Sequence, residues 1–435
     1  MKIVLNLLMD GWEMTILPDR PCALFWDESF LWGLMARRAL REAGLPFDLL
    51  RSHDIRAGKL SRYAMLFVPG GWASAKLHAL GGKGQSEIRS FVSQGRSYLG
   101  ICGGAGMATA SGLALLPIDR VPTKNRVPSF SGPIRLSLTD HAIWSGIRTP
   151  VFHAWWPLQF QITAERQLRI LSRYDEALDD AYSADIRVGD GRIAGWSESE
   201  EQYGIYLDPD RLKDQPAVVE GRYQGGNVLL SLVHFDTPGD QNGALVLRNL
   251  WRYLIRDDDF YFPSGSMPQG NRINAADYLQ FKGILDDIND AVAGLIRTGE
   301  ERHLWQRRNP LLLQWRRGVR GMECSTLAAM IDEITGCLSR YSQARPGKES
   351  SPPETIDSSH LSQDLALIRE LTISFTEEAK ILLAQENQLG SAPADGAAEK
   401  ISGLKLNLFG SSRSYGGNFK RLIDAVDDLL FKLIT

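Results

Sequence analysis

A chain of 435 residues, 43% hydrophobic and 23% charged, has room for two or three domains and at least one large core. Its formal net charge of −3 gives no global attraction to nucleic acid or to anionic membranes. Four cysteines, Cys22, Cys102, Cys324 and Cys337, lack paired spacing, which excludes a zinc ribbon or a CxxC redox centre and suggests reduced thiols in a cytoplasmic protein.

The opening run, MKIVLNLLMDGW, is too short for a signal segment, and no stretch approaches the ~20 apolar residues that span a bilayer. No membrane partner is expected. Residues 2–8 form a first strand, and 30–42 an amphipathic helix stopped by Gly44. A short buried strand at 65–68 leads into Pro69-Gly70-Gly71. Residues 85–94 are helical, with Ile88, Phe91 and Val92 on one face, and 97–101 is the next strand. Further strands are expected at 134–139, 151–154, 168–173, 217–223 and 227–233. The last two are joined by Gln224-Gly225-Gly226, a hairpin signal. A helix at 242–255 closes the unit. Strand–helix alternation of this kind predicts an α/β fold with a mostly parallel sheet covered on both faces.

Past residue 257 the texture changes. Residues 258–271 contain Pro263, Gly265, Pro268 and Gly270 and read as a linker. Residues 272–435 show four apolar helix faces: Tyr278, Phe281, Leu285, Ile288, Val292 and Leu295 after a cap at Asn274; Leu327, Met330, Ile331, Ile334 and Leu338; Leu361, Leu365, Ile368, Phe375, Ala379 and Leu382; and Phe419, Leu422, Val426, Leu429 and Leu433 after Asn418. A helical bundle buries such faces. No strand is expected there, and residues 345–359 and 390–400 read as flexible segments. The expected organisation is therefore a domain at 1–257, a linker at 258–271 and a bundle at 272–435.

The strongest chemical signal is Ser97-Tyr98-Leu99-Gly100-Ile101-Cys102-Gly103-Gly104-Ala105-Gly106. A buried strand ends in a glycine-flanked cysteine and a small-residue helix begins, the pattern of a nucleophile elbow with Cys in place of Ser. A sharp turn requires small neighbours, and a helix N-terminus aimed at the sulfur favours its reactive thiolate. A second glycine-rich turn, Gly70-Gly71-Trp72, follows another strand at the same sheet edge. Main-chain amides of Gly71 and Gly103 are candidates for an oxyanion hole, with Gly70, Trp72 and Gly104 lining the pocket. His234 follows the last strand, and Asp236 lies two residues on, on the same side of an extended segment, where its carboxylate can fix the imidazole tautomer. Cys102, His234 and Asp236 form the candidate catalytic set. His153, Trp155, Trp156 and Glu28 are further pocket candidates, and Glu28 with Asp27 can equally serve as helix-start charge.

The segments 67–71, 100–105 and 228–236, in that order, resemble the class I glutamine amidotransferase-like superfamily, and within it the N-terminal domain of biotin–protein ligases. The resemblance implies a flavodoxin-like, doubly wound sheet and a cysteine-dependent hydrolase or amidotransferase-like enzyme without a cofactor. The branch's segment at 151–157 leads to a Gly-Gly-Pro turn, where this chain has Trp155-Trp156-Pro157. Glutaminases of the superfamily carry Gln four residues after the cysteine and Glu as third triad member; here those positions hold Gly106 and Asp236. Ordinary glutamine hydrolysis is therefore not expected. The substrate class left open is a small molecule or peptide, and the alternative function is a non-catalytic binding or assembly module.

Arg302, Arg307, Arg308, Arg316, Arg317 and Arg320 cluster with Trp305 and Trp315, the composition of a phosphate-binding surface. Acidic residues balance the surrounding bundle, so a solvated face over two core tryptophans is expected and nucleic acid is not. A protein partner through the helical domain remains an expectation. His78 and His141 have no evident partners, and no metal-ligand spacing is visible.

Overall fold

The structure, a computed structural model, describes residues 3–8, 11–16, 20–255, 275–343, 358–386, 397–411 and 415–435. The chain divides into two compact units, Met1–Ser264 and Gly265–Thr435. The expected linker at 258–271 and the cap at Asn274 lie outside the described residues, as do residues 345–357 and 390–396 of the expected flexible segments.

In the first unit, five parallel strands form the half of the sheet that carries the glycine-rich turns. Their order is Asp48–Leu50, Arg20–Phe25, Tyr63–Val68, Ser97–Ile101, Gly226–Ser231. The sheet continues antiparallel through Pro216–Tyr223, Leu168–Ala177 and Phe130–Leu138, and Val151–Trp155 pairs with the last of these. Hydrogen-bond register sets the carboxyl ends of the parallel strands level with Ser172 in Leu168–Ala177. Val218 pairs with both Ser172 and Ser231, and Ser231 pairs with Ile101.

The helices Leu31–Glu42, Ala73–Ser93 and Gln241–Ile255 supply apolar faces to the sheet. Leu34, Met35, Leu40, Leu80, Ile88, Val92, Val246, Leu250 and Trp251 are all buried. The first helix ends as expected: Gly44 takes the left-handed conformation, φ +69°, that suits glycine after a helix.

Two expectations for this unit change. Residues 3–8 do not join the main sheet. Ile3–Leu8 pairs antiparallel with Gly11–Ile16 as a separate two-stranded ribbon, because two β-prone runs two residues apart close on each other locally. The first strand of the main sheet is Arg20–Phe25. Its charge and proline at the start shorten the apolar run to Cys22–Phe25, too little to stand out as a pattern, yet Cys22, Ala23, Leu24 and Phe25 are fully buried.

The second unit contains the helices Ala275–Glu301, Gly321–Gln343, Ser358–Glu386, Ala397–Phe409 and Gly417–Ile434. Ala275–Glu301 packs on Gly321–Gln343 and on Ser358–Glu386, and Gly417–Ile434 packs on the same two, closing a ring of four. Every residue of the four predicted faces is buried except Tyr278, which is half-buried. Ala397–Phe409 is a fifth helix and corrects the flexible reading of residues 397–400. It buries Ile401, Leu408 and Phe409, and Phe409 meets Phe375 and Phe419 at ring distances of 5.9 and 6.3 Å.

The unit is a helical bundle as expected, with a small antiparallel hairpin, Trp305–Arg307 with Leu313–Trp315, where no strand is expected. The hairpin forms because Trp305 pairs across the strands with Trp315 while its ring nitrogen donates to the Ile296 carbonyl at 2.9 Å. Trp305 is core, 4% exposed, and Arg307 and Arg320 pair with Glu300 and Glu323. Leu285 is 3% exposed in the centre of its face. Leu285→Asp buries an unpaired carboxylate and should destabilise this unit by several kcal/mol. Chemical denaturation read by far-UV circular dichroism checks this, and an unchanged midpoint would show that the face is not core.

Candidate active site

Three loops meet at the carboxyl edge of the parallel strands, and glycine is what lets them meet. A Cβ on Gly103 would fall 1.9 Å from the Gly71 carbonyl oxygen, and one on Gly104 would fall 2.0 Å from that of Val68. The Cys102 turn thus lies directly on the main chain of the turn after the neighbouring strand. Gly71 itself has φ +107°, and its Cβ would meet the Glu28 carbonyl at 2.9 Å. Glu28 therefore reaches the site through its main chain. Gly70 packs against the Trp32 ring and the His234 ring, at 3.0 and 3.1 Å from its would-be Cβ.

Cys102 sits at the apex with φ +49° and ψ −102°, a conformation rare for any residue with a side chain. Such strain costs on the order of 1–3 kcal/mol and persists only where surrounding structure imposes it. Here the Cys102 amide donates to the Ser231 carbonyl at 2.8 Å, and its own carbonyl accepts from Gly106 at 2.9 Å. The helix that follows, Gly103–Met107, has only five residues, so its dipole adds little and the expected helix-terminus activation is weaker than the sequence pattern implied. The thiol is half-buried, and its Sγ lies 4.0 Å from the Trp155 carbonyl.

His234 and Asp236 are both fully buried. Imidazole Nδ1 and Asp236 Oδ1 are 2.9 Å apart, so the carboxylate fixes the ring and leaves Nε2 toward other partners. No hydrogen bond of ordinary length and angle reaches Nε2 among the described residues. Burial alone lowers the imidazole pKa. The Asp236 charge and hydrogen bond, then interaction with the Cys102 side chain, outweigh burial and hold it at about 9.

The loop is braced from both sides. The His234 amide donates to the His153 carbonyl at 2.7 Å, and Thr237 Oγ1 bridges the His234 carbonyl and the Trp155 ring nitrogen, each at 3.0 Å. His153 stacks on Trp155 at 5.2 Å and pairs with Asp240 at 3.1 Å. It supports the loop rather than facing the thiol. Trp155 likewise contributes its carbonyl, since its ring is bonded to Thr237.

Three residues near the site had no sequence signal. Trp32 stacks on His234, ring centroids 4.9 Å apart. It was missed because the strand before it, Arg20–Phe25, was missed, and with it the loop at the same sheet edge. Lys76 is fully buried beneath the Gly71 turn, bonded to Ser29 and to the Asp27 carbonyl at 3.4 Å. Tyr174 is 1% exposed, and its hydroxyl has no hydrogen-bond partner among the described residues. Burial, and behind it the charge of Cys102, push that hydroxyl's pKa up. At position 106, a side chain would enter a space bounded by Leu158, Ala73 and Arg120, with Leu158 at 3.1 Å. His141, without a partner in the sequence reading, lies 3.5 Å from Glu220 and edge-on to Tyr253, outside the site. Among the described residues no group of three or more potential metal ligands converges, and no helix is long and apolar enough to cross a membrane.

Two outcomes are expected. Gly104→Ala should strongly lower the unfolding temperature, because backbone rather than a flexible side chain stands in the way. Gly82→Ala, with nothing within 4 Å, should be neutral or stabilising by up to about 1 kcal/mol. Equal effects in differential scanning fluorimetry would disprove the main-chain contact. For His234, the folded value of about 9 lies above the ~6.5 of a free histidine, so the imidazolium stabilises the fold. That contribution is complete below about pH 6.5 and is lost as pH rises through about 9. The wild type should lose stability over that window while His234→Gln lacks the slope; parallel pH–stability curves would refute it.

Residues 60–112, which span both glycine-rich turns, match the family model for the biotin-protein ligase N-terminal region. Among solved structures the chain is similar to a glutamine amidotransferase from Thermotoga maritima, at 13% identity over 55% of this chain and 99% of that one, TM-score 0.35. It is similar to a glutamine amidotransferase from Methylobacillus flagellatus at 16% identity over 55% of this chain and 93% of that one, TM-score 0.29. A β-galactosidase from Bacillus circulans matches at 12% identity over 61% of this chain, TM-score 0.34, and this chain covers 33% of its length. No match was found among curated proteins.

Proposed function

We propose that the first unit, a glutamine amidotransferase-like fold whose residues 60–112 match the N-terminal region of biotin-protein ligases, is a cysteine-dependent hydrolase or acyl-transferring enzyme. The observation that carries this reading is the fully buried His234–Asp236 pair, coupled to a half-buried cysteine on a strained turn. Perturbed titratable groups with a named charge partner, next to a strained nucleophile, mark functional sites more often than structural ones.

In this reading the Cys102 sulfur attacks the carbonyl carbon of an amide or ester. A C–S bond forms, and the carbonyl electron pair moves onto oxygen. Amides of the Gly71 and Gly103 turns stabilise that oxyanion; the Cys102 amide is already committed to Ser231. The His234 imidazolium gives its Nε2 proton to the leaving amine or alkoxide as the scissile bond breaks, leaving a thioester. Neutral imidazole then takes a proton from the water that hydrolyses it. Asp236 holds the ring and balances its charge throughout. Ordinary glutamine hydrolysis is not expected of this site, because position 106, between Leu158, Ala73 and Arg120, holds Gly in place of the glutaminases' amide side chain.

The test is the rate of Cys102 alkylation by iodoacetamide near neutral pH, followed by peptide mass spectrometry. Cys102 should react far faster than Cys324 or Cys337, both buried in the second unit. His234→Ala should slow it by roughly tenfold or more. Cys102 reacting no faster than the other thiols, with no effect of His234→Ala, would sink the catalytic reading and favour a ligand-binding module.

A further inference from the structure

Indole rings lie next to the His234 base, and one of them is held there against its backbone preference. Trp156 has φ +49°, the left-handed region where glycine is at ease and a bulky residue is not. It is nevertheless tryptophan, it is half-buried rather than core, and it follows the residue whose carbonyl lies 4.0 Å from the Cys102 sulfur. Its ring meets Trp32 edge-on, centroids 6.3 Å apart and planes at 71°. Trp32 in turn lies over the His234 imidazole at 4.9 Å. Trp32 is 7% exposed, so the half-buried Trp156 indole, backed by Trp32 at its edge, is the ring the site can present, and Trp32 joins it to the base. At position 106, after the cysteine turn, the space is bounded by Leu158 and Ala73 and by the Arg120 side chain. Trp72, next to the Gly71 turn, is 40% exposed.

We infer that this indole surface is a specificity subsite for the planar aromatic or heteroaromatic group of an acyl substrate, an aryl amide or aryl ester. A half-buried indole held by a second, buried indole gives a flat ring a fixed surface to pack on, an arrangement that favours an aromatic group over a charged amino-acid head group. A bulky residue in a strained left-handed position is retained where the ring itself does something glycine cannot. The inference deepens the nucleophile reading of the same site and rests on it for the reaction; the subsite itself is tested without the nucleophile.

The full-length Cys102→Ala protein is titrated with benzamide and, separately, with acetamide, read by isothermal calorimetry. Benzamide should bind about tenfold tighter or more. Trp156→Gly in the same background, the substitution its φ tolerates best, should abolish that preference, and Trp156→Phe should retain part of it. In the protein with Cys102 intact, N-phenylmaleimide should outpace N-methylmaleimide by a larger ratio than the two show with glutathione. Equal binding of the two amides, or a preference that survives Trp156→Gly, overturns the subsite, whatever the reactivity of Cys102. A benzamide preference lost in Trp156→Gly but a thiol inert to both maleimides upholds the subsite while removing the nucleophile.

Discussion

Everything at this site depends on two peptide chains touching without side chains between them. The Cys102 turn rests on the turn after Val68, so closely that no Cβ fits at Gly103 or Gly104. That contact fixes the height of the sulfur above the sheet and its distance from the Gly71 turn. It also forces Cys102 into its left-handed conformation, because the chain must reverse within one residue between a strand bonded to Ser231 and a helix that begins at once. The same crowding recurs next door. Glu28 and Phe30 also have positive φ, and the Glu28 carbonyl closes on Gly71. Four of the eight non-glycine residues with positive φ among the described residues of this unit, Glu28, Phe30, Cys102 and Trp156, lie at these loops.

Around that contact the polar groups are arranged so that burial strengthens rather than defeats them. A histidine without exposure loses its charge unless a partner compensates, and Asp236 is a partner that is itself fully buried. The pair is anchored by main-chain bonds, through the His153 carbonyl and through Thr237, rather than by solvent. Its geometry is consequently set by the strand Val151–Trp155 as much as by the loop that carries it. His153 and Trp155 matter for where their carbonyls and rings hold that loop.

The second unit follows simpler rules. Four amphipathic faces with regular spacing find one another in a closed ring, and the Arg-rich segment between the first two helices folds into a hairpin that sends Trp305 inward. Arg307 pairs with Glu300 near the surface, and Arg320, after the hairpin, pairs with the buried Glu323.

What the sequence by itself determined was local. Periodicity marked the bundle faces, since a helix repeats every 3.6 residues whatever it packs on. The glycines around Cys102 marked a turn too tight for side chains, and the His234-x-Asp236 spacing put imidazole and carboxylate on one side of an extended strand end. Those are properties of a few adjacent residues, and they survive any tertiary arrangement. What only the tertiary structure decided was which distant segments share an edge. Arg20–Phe25 is too short a run to declare itself, so Trp32 had no address; Tyr174 reaches the site by antiparallel register, which pairs residues tens of positions apart, and Trp156 follows Trp155, whose carbonyl lies at the Cys102 sulfur. The swap of Ile3–Leu8 for Arg20–Phe25 has the same cause. Ile3–Leu8 reads more like a strand, but it closes on the neighbouring Gly11–Ile16, and the sheet position goes to Arg20–Phe25, whose Cys22–Phe25 are fully buried.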